Sequence, residues 1–460
     1  MGLVLLQDAR IVDPANGLDM KGELLIAEDK IAAVGEKIPS EKAAGAERIN
    51  LKGKVVCPGL IDMHVHLREP GQSAKETLKT GTAAAARGGF TSVVCMPNTN
   101  PTLDTPSTVA YVMERCRKEA CVNVFIAGAI SKGLEGEEMA PIGGLKSAGV
   151  VAITDDGRCI QNNDLMRRAV EYAQLFDLLI MDHCQDTSAT SDGVMHAGYW
   201  STRLGLRGWP SLGEEIVVAR NILLAKKIGA RMYCQHISSA ESVSMIRRAK
   251  SEGVKVYAET CPHYLALTDM AMAGSEDFWK GDGVGYFDVF TGSCKGVKPP
   301  QWSRYHTNFK MNPPLGSAED RAALIEGLRD GTLDVISSDH APHCGHEKEV
   351  EYDVAPFGII GLETELGMAL TSLYHRKVLS LSEVIRKFTA TPAGLIRIDK
   401  GTLSVGATAD ITVFDPEEEW VYDASQGVSK SHNSPFSGWP IKGRVHGTWV
   451  AGRQVYSLEK

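Results

Sequence analysis

The hydrophobic pattern in the middle of the chain alternates between two periods. Short apolar, β-branched runs predict strands, and segments with apolar positions three and four residues apart predict helices between them. Several of these helices follow a Ser, Asn or Asp and end near Gly, as helix caps do. The predicted strands are 55–65, 91–96, 122–130, 150–154, 178–181, 231–235, 254–259 and 333–337, and the predicted helices include 75–87, 163–176, 212–228, 240–252 and 318–330.

This alternation indicates a parallel α/β sheet, because parallel strands need helical crossovers. Eight such strands predict a (β/α)8 TIM-type barrel. The alternative is an open, doubly wound sheet. No G-x-G-x-x-G sequence opens a helix after the first strand, which weakens a dinucleotide-binding interpretation.

Both ends of the chain have the short apolar runs and turn residues of β structure. We therefore expect residues 1–54 and 402–460 to form one small β-sandwich domain, and residues 55–401 to form the barrel. An insertion at 276–310 is rich in Gly and aromatic residues and has neither period. It is interpreted either as a lid or as a packed elaboration that contacts another subunit.

Composition narrows the class of protein. With 460 residues, 43% of them hydrophobic, the chain can bury a large core, which excludes a disordered protein. A net charge of −8 disfavours nucleic acid as a partner. No apolar run approaches the roughly 20 residues of a membrane helix. The ten cysteines form no C-x-x-C pair. We expect a cytoplasmic protein that binds neither membrane nor nucleic acid.

Polar residues follow the predicted strands at the points where the strands end. His64 and His66 are two residues apart, so their side chains share one strand face. Because barrel active sites form at the carboxyl ends of the strands, such residues converge. A single histidine there is usually structural, but five strand ends that supply His or Asp favour a site for zinc or a similar ion. The other four strand ends carry Asp155-Asp156, Asp182-His183, His236 and Asp339-His340.

The chain resembles the amidohydrolase superfamily, and within it the dihydroorotases of the long bacterial type that have Asp in place of a carboxylated Lys. The terminal β segments fit the flanking sheet domain of that family. The resemblance rests on the segments 58–71 (PGLIDMHVHLREPG), 96–99 (MPNT), 154–157 (TDDG), 182–184 (DHC), 236–238 (HIS), 310–315 (KMNPPL), 338–343 (SDHAPH) and 355–358 (APFG).

The resemblance implies a centre with one or two Zn²⁺ ions. His64 and His66 would bind one ion, and His183 and His236 the second. Asp156 would bridge the ions. Asp339 would contact the first ion and move the proton during the reaction, which makes it the catalytic residue.

Substrate recognition is expected to rest on Arg68. If the first strand continues, this guanidinium lies on the same side as both histidines and can bind a carboxylate through paired hydrogen bonds. The alternative is an ion pair with Glu69 or another acid. The resemblance adds further substrate-binding positions, namely His66, Asn98, Asn312, His343, Phe357 and Gly358.

The resemblance thus implies the reversible interconversion of N-carbamoyl-L-aspartate and L-dihydroorotate in pyrimidine biosynthesis, with a small carboxylate-bearing substrate. One alternative is a hydantoinase or allantoinase, whose substrates lack that carboxylate. Another is a non-catalytic barrel that scaffolds aspartate carbamoyltransferase. A homo-oligomer, dimer or larger, is expected, and association of the enzyme with aspartate carbamoyltransferase is possible.

Overall fold

The central body of the computed structural model, which describes residues 2–459, is a barrel of eight parallel strands. Each strand pairs with the next one along the chain. The eighth strand returns to the first through a parallel bridge between Val65 and His340. The predicted (β/α)8 barrel is confirmed. Its strands are Leu60–Val65, Phe90–Cys95, Asn123–Gly128, Ala152–Ile153, Leu179–Asp182, Met232–Cys234, Val256–Thr260 and Val335–Ile336.

Helices cover the outside of the barrel. Local sequence explains where several begin: Thr77, Thr105 and Ser317 each form a capping box, and Asn162 caps the next backbone N–H groups. The helix predicted at 212–228 has those bounds, and the other predicted helices differ by at most three residues at an end. The α-helices are Leu78–Arg87, Pro106–Glu119, Ile142–Ser147, Asn163–Gln174, Thr187–Thr190, Tyr199–Leu204, Leu212–Ile228, Ala240–Ser251, Pro262–Ala266, Ser275–Lys280, Ala318–Arg329, Gly345–Lys348, Glu365–Ala369, Leu381–Phe388 and Ala390–Ile396.

A second sheet combines strands from both ends of the chain. Val55–Pro58 joins the two halves, because it pairs with Leu3–Asp13 on one side and with Ile411–Val421 on the other. The expected sheet domain from both termini is confirmed, and hydrogen bonds connect its strands into one continuous sheet. Its eight strands are Leu3–Asp13, Leu18–Ala27, Lys30–Gly35, Glu47–Asn50, Val55–Pro58, Ile411–Val421, Pro440–Val450 and Arg453–Ser457. Two short strands, Met195–His196 and Gly208–Trp209, pair separately.

The first predicted strand, 55–65, is wrong as a single element. It is two strands in two sheets, divided at Gly59. A Cβ at Gly59 would lie 2.1 Å from Oγ1 of Thr91, so only glycine fits where the chain passes between the sheets. The apolar run is continuous because both strands are buried. The barrel therefore begins at Leu60.

The segment 276–310 packs against the terminal sheet. Its aromatic rings Phe278, Trp279, Tyr286 and Trp302 surround the buried Trp439, with ring centroids 4.9–6.2 Å away. The hydroxyl of Tyr286 donates to the Pro440 carbonyl oxygen at 2.8 Å. These contacts favour the packed elaboration over a lid.

Candidate active site

A cavity of about 260 Å³ lies at the carboxyl ends of the barrel strands, and nearly all the predicted site residues meet there. His64 is the exception, because it is fully buried beneath the cavity. The predicted residues that line the cavity are His66, Arg68, Asn98, Asp156, His183, His236, Asn312, Asp339, His343, Phe357 and Gly358.

The first group of possible ligands comes from strands one and eight. Nε2 of His66 lies 3.1 Å, and Nε2 of His64 3.6 Å, from Oδ1 of Asp339. Asp156 contacts the same imidazoles, with Oδ1 3.2 Å from Nε2 of His64 and Oδ2 3.5 Å from Nε2 of His66. These donor atoms are spaced as ligands of a common cation.

The second group comes from strands five and six. Nδ1 of His183 lies 2.6 Å from Nε2 of His236, and the same two nitrogens lie 3.7 Å and 4.0 Å from Oδ1 of Asp156. Asp156 therefore stands between the two groups, which is where the family resemblance implies a bridging carboxylate.

The residues present fit a divalent cation. Oδ1 of Asp156 is buried and receives no hydrogen bond from any residue in the range 2–459, although three imidazole nitrogens lie within 4.0 Å of it. A carboxylate oxygen in that position needs a positive partner. Imidazole and carboxylate groups together are typical zinc ligands.

Charge interactions keep the acids of this cluster ionised. Burial would raise the pKa of Asp339, but the imidazoles of His64 and His66 lower it far below its ordinary value. Burial also opposes the ionisation of Asp156, whose pKa is nevertheless lowered by His64 and His183. Burial would lower the pKa of His64, but the neighbouring carboxylates raise it well above its ordinary value. Asp339 and Asp156 are therefore both ionised at neutral pH.

Arg68 lines the cavity, but its backbone conformation is not the extended one that the sequence analysis considered. The first strand ends at Val65, and Arg68 has a φ of 60°, so the strand does not continue to Arg68 and the condition set for its placement is not met. Its Nε donates to the Pro342 carbonyl oxygen at 3.2 Å, and a terminal nitrogen lies 3.5 Å from Nε2 of His343. Glu69 instead pairs with Arg115 at 3.2 Å. The guanidinium therefore faces the cavity.

The two asparagines contact the histidines of the cluster. Oδ1 of Asn98 lies 2.9 Å from Nδ1 of His66, and its Nδ2 donates to Oδ2 of Asp156 at 3.2 Å. Nδ2 of Asn312 lies 3.2 Å from Nε2 of His183. Oδ1 of Asn312 is buried without a hydrogen-bond partner in the described part of the chain, so it is available to a ligand.

Two further residues that the sequence analysis did not single out support the site. Oε1 of Glu259 lies 2.7 Å from Nδ1 of His64. Glu259 is a polar residue at the end of a predicted strand, so the rule that found the histidines could have found it. The ammonium group of Lys348 donates to the carbonyl oxygens of Lys310, Pro356 and Gly358 at 3.3, 2.9 and 3.1 Å and thereby holds the Phe357–Gly358 turn. The residues next to Lys348 in the sequence are mostly polar, so the local pattern does not predict that this lysine is buried.

Comparisons with known proteins identify the family of the chain. A model of the "Dihydro-orotase-like" family matches residues 53–242, and a model of the "Amidohydrolase family" matches residues 362–456. The curated dihydroorotase of Pelotomaculum thermopropionicum is 46% identical over 98% of each chain, and that of Syntrophus aciditrophicus is 45% identical over 98% of this chain and 99% of its own. The chain belongs to the dihydroorotase family. It is an enzyme, a hydrolase of cyclic amides.

Solved structures share the fold over nearly the whole chain. An L-hydantoinase (dihydropyrimidinase) from Arthrobacter aurescens has a TM-score of 0.84 at 26% identity and covers 99% of this chain and 96% of its own. A dihydropyrimidinase from Brevibacillus agri has a TM-score of 0.80 at 22% identity, with 100% and 96% covered. Within residues 2–459, no helix has the length and hydrophobicity that crossing a bilayer requires.

Proposed function

We propose that this protein interconverts N-carbamoyl-L-aspartate and L-dihydroorotate in pyrimidine biosynthesis. The observation that carries the proposal is one small cavity in which the Arg68 guanidinium faces a cluster of imidazoles and carboxylates. A ring that carries both an amide and a carboxylate matches those two features. The curated dihydroorotases, at 42–46% identity over nearly full length, support the same substrate.

The residues that would hold one or two zinc ions are those of the two groups described above. His64, His66 and Asp339 would bind one ion, His183 and His236 the other, and Asp156 both. When bound, zinc polarises an amide carbonyl and lowers the pKa of a coordinated water molecule. Imidazole and carboxylate ligands support zinc over magnesium or calcium, which prefer oxygen donors alone.

Asp339 is the group of this chain that moves the proton. Its ionised carboxylate accepts a proton from the attacking water, whose oxygen forms the new bond to the amide carbon. The amide C–N bond then breaks, and Asp339 returns the proton to the departing ring nitrogen. Ring closure follows the same steps in reverse, with the release of water.

Arg68 orients the substrate. Its Nε is occupied by the Pro342 carbonyl oxygen, which leaves the terminal nitrogens for a carboxylate. His343 lies beside them, and Asn98 lies on the side of the first metal group. The free Oδ1 of Asn312 can accept an N–H of the ring, and Phe357 and Gly358 also line the cavity.

The test compares two classes of substrate, with and without the carboxylate, on the purified, zinc-loaded protein. We expect turnover of L-dihydroorotate and N-carbamoyl-L-aspartate, and at least 100-fold lower kcat/KM for hydantoin or dihydrouracil, which lack the carboxylate. Preferred turnover of the carboxylate-free rings would favour a hydantoinase instead. A protein that turns over neither class and retains no stoichiometric metal would favour the non-catalytic scaffold.

We further propose that the enzyme is a cytoplasmic homo-oligomer. Leu212, Ile216 and Leu223 are exposed along the helix Leu212–Ile228, and exposed apolar side chains on one element favour a protein contact. Light scattering across a range of protein concentrations, on wild type and Leu223→Glu, tests this: the variant should have the smaller mass. Association with aspartate carbamoyltransferase remains a prediction, and co-sedimentation of the two purified enzymes tests it.

A further inference from the structure

The backbone pairing between the eighth and the first barrel strand is weaker than that between the other neighbouring strands. Consecutive strands from the first to the eighth are joined by two or more paired positions. Between the eighth and the first strand, the backbone contributes the isolated bridge from Val65 to His340 and the hydrogen bond from the His66 N–H to the His340 carbonyl oxygen at 2.9 Å. This seam separates His64 and His66 from Asp339.

A buried carboxylate spans the seam. Asp62 is inaccessible to solvent, and its Oδ1 accepts the backbone N–H of His64 at 2.9 Å. On the other side, both carboxylate oxygens lie 3.3 Å from the Ser338 backbone nitrogen, and Oδ2 accepts the Ser338 hydroxyl. The Ser338 Oγ in turn accepts the His340 N–H at 3.0 Å. The residues on both sides of Asp339 are thereby tied to the first strand.

The same device occurs twice more at the cavity end of the barrel. We call it a serine clasp: a buried carboxylate that accepts both the backbone N–H and the hydroxyl of one serine near a strand end. The second clasp joins Asp155 to Ser131, and the third joins Glu214 to Ser238. Each lies within two residues of a proposed metal ligand, which argues that clasps serve the site rather than the barrel in general.

We propose that Asp62 and Ser338 are positioning residues whose clasp fixes Asp339 relative to His64 and His66, and thereby sets zinc affinity and the rate of the chemical step. Asp339 has a φ of 47°, in the left-handed region that a non-glycine residue keeps only when its surroundings hold it. Ligand positions must be kept within about 0.5 Å for productive geometry. At a seam with little backbone pairing, side chains must supply that precision. The inference rests on the proposed metal site.

Ser338→Ala and Asp62→Asn test the clasp, with Asp13→Asn as the matched control. Asp13 is also buried and accepts a backbone N–H, that of Leu403 at 2.7 Å, and the hydroxyl of Thr402 at 3.3 Å, but it lies in the terminal sheet. Three experiments are made on each variant: chelator competition gives the zinc dissociation constant, steady-state kinetics gives kcat and KM, and thermal unfolding of the metal-free protein gives its midpoint.

We expect all three variants to unfold at lower temperature. Both clasp variants should also bind zinc at least 10-fold more weakly and lose at least 10-fold in kcat, with KM within about two-fold of wild type. Asp13→Asn should keep wild-type zinc affinity and kcat.

The proposal is overturned if the clasp variants lose only thermal stability, as the control does. Should Asp62→Asn fail to fold, Ser338→Ala decides the question, because it removes a single hydroxyl. Zinc affinity is measured without substrate, so the clasp can be judged even if the proposed reaction is not observed.

Discussion

Nδ1 of His64, on the first barrel strand, lies 2.7 Å from Oε1 of Glu259 on the seventh, and both side chains are fully buried. The carboxylate accepts a hydrogen bond from Nδ1–H, so Nε2, which faces Asp156 and Asp339, is the nitrogen that would bind the ion. Tyr233 donates its hydroxyl to Oε2 of Glu259 at 2.7 Å. A ligand on the first strand is therefore oriented by a carboxylate that lies two strands away around the closed barrel.

We predict that Glu259→Gln weakens zinc binding by about 10- to 100-fold, the usual range for losing a carboxylate behind a ligating histidine. The amide keeps the size of the side chain but removes the negative charge that makes His64 a better ligand. Competition with a chromogenic chelator measures the effect. Tyr233→Phe, which removes one bond to the same carboxylate, should have a smaller effect. Equal zinc affinities in Glu259→Gln and wild type would contradict the prediction.

For Asp339→Asn we predict a loss of about 10²- to 10⁴-fold in kcat, because the amide cannot accept a proton. Metal content must be measured on the same samples, since Asp339 is also a proposed ligand. Asp334→Asn is the control: Asp334 is nearby in sequence and pairs with Lys250 at 2.6 Å, outside the cavity. That control should have wild-type kcat. Full activity in Asp339→Asn would remove the proposed proton carrier.

Arg68→Met should lower kcat/KM for L-dihydroorotate by about 10- to 150-fold, which corresponds to about 1.5–3 kcal/mol for hydrogen bonds to a charged group. Turnover of a carboxylate-free ring should hardly change. Arg115→Met is the matched control, because Arg115 pairs with Glu69 and Glu119 and does not line the cavity. An equal loss on both kinds of ring would show that Arg68 shapes the site rather than binding a carboxylate.

The sequence predicted the barrel and the histidines and aspartates at its cavity because one physical rule governs both, whereas Asn312, Phe357 and Gly358 came from the family resemblance. Strand ends of a parallel barrel meet at one face, so His64, His183 and Asp339 had to converge if the strands were correct. Glu259 lies near the end of the seventh strand, so the same rule would also have placed it among the predicted site residues. Conformation was harder to predict: the left-handed turn at Arg68 depends on contacts with Pro342 and His343, which are far away in the chain.

Tertiary contacts also explain the remaining differences. The break at Gly59 is set by Thr91 on a neighbouring strand, so no local pattern reveals that one apolar run serves two sheets. Lys348 is buried in spite of its charge because the carbonyl oxygens of Lys310, Pro356 and Gly358 converge on it. Burial lowers the pKa of this lysine to about 7. The burial of Lys348 therefore depends on the folded loop and cannot be predicted from the neighbouring residues in the sequence.

Glu214, the carboxylate of the third serine clasp, is expected to make the stability of the fold depend on pH. It is buried and accepts the Ser238 hydroxyl at 2.6 Å and the Ser239 N–H at 3.0 Å. Burial raises its pKa to about 7, above the ordinary value of 4.5, in spite of these hydrogen bonds. As the pH rises, the unfolded chain therefore loses this proton before the folded protein does.

We predict that wild type loses stability relative to Glu214→Gln as the pH rises from about 4.5 to about 7, by at most about 1.4 kcal/mol per pH unit. Below this range Glu214 is protonated in both states and its full contribution is present; above it, that contribution is gone and the difference is constant. Urea unfolding of the metal-free proteins at fixed ionic strength measures the difference. Glu326→Gln, at a surface ion pair with Arg329, should give a flat difference. A flat difference for Glu214→Gln as well would mean that Glu214 binds its proton equally in both states.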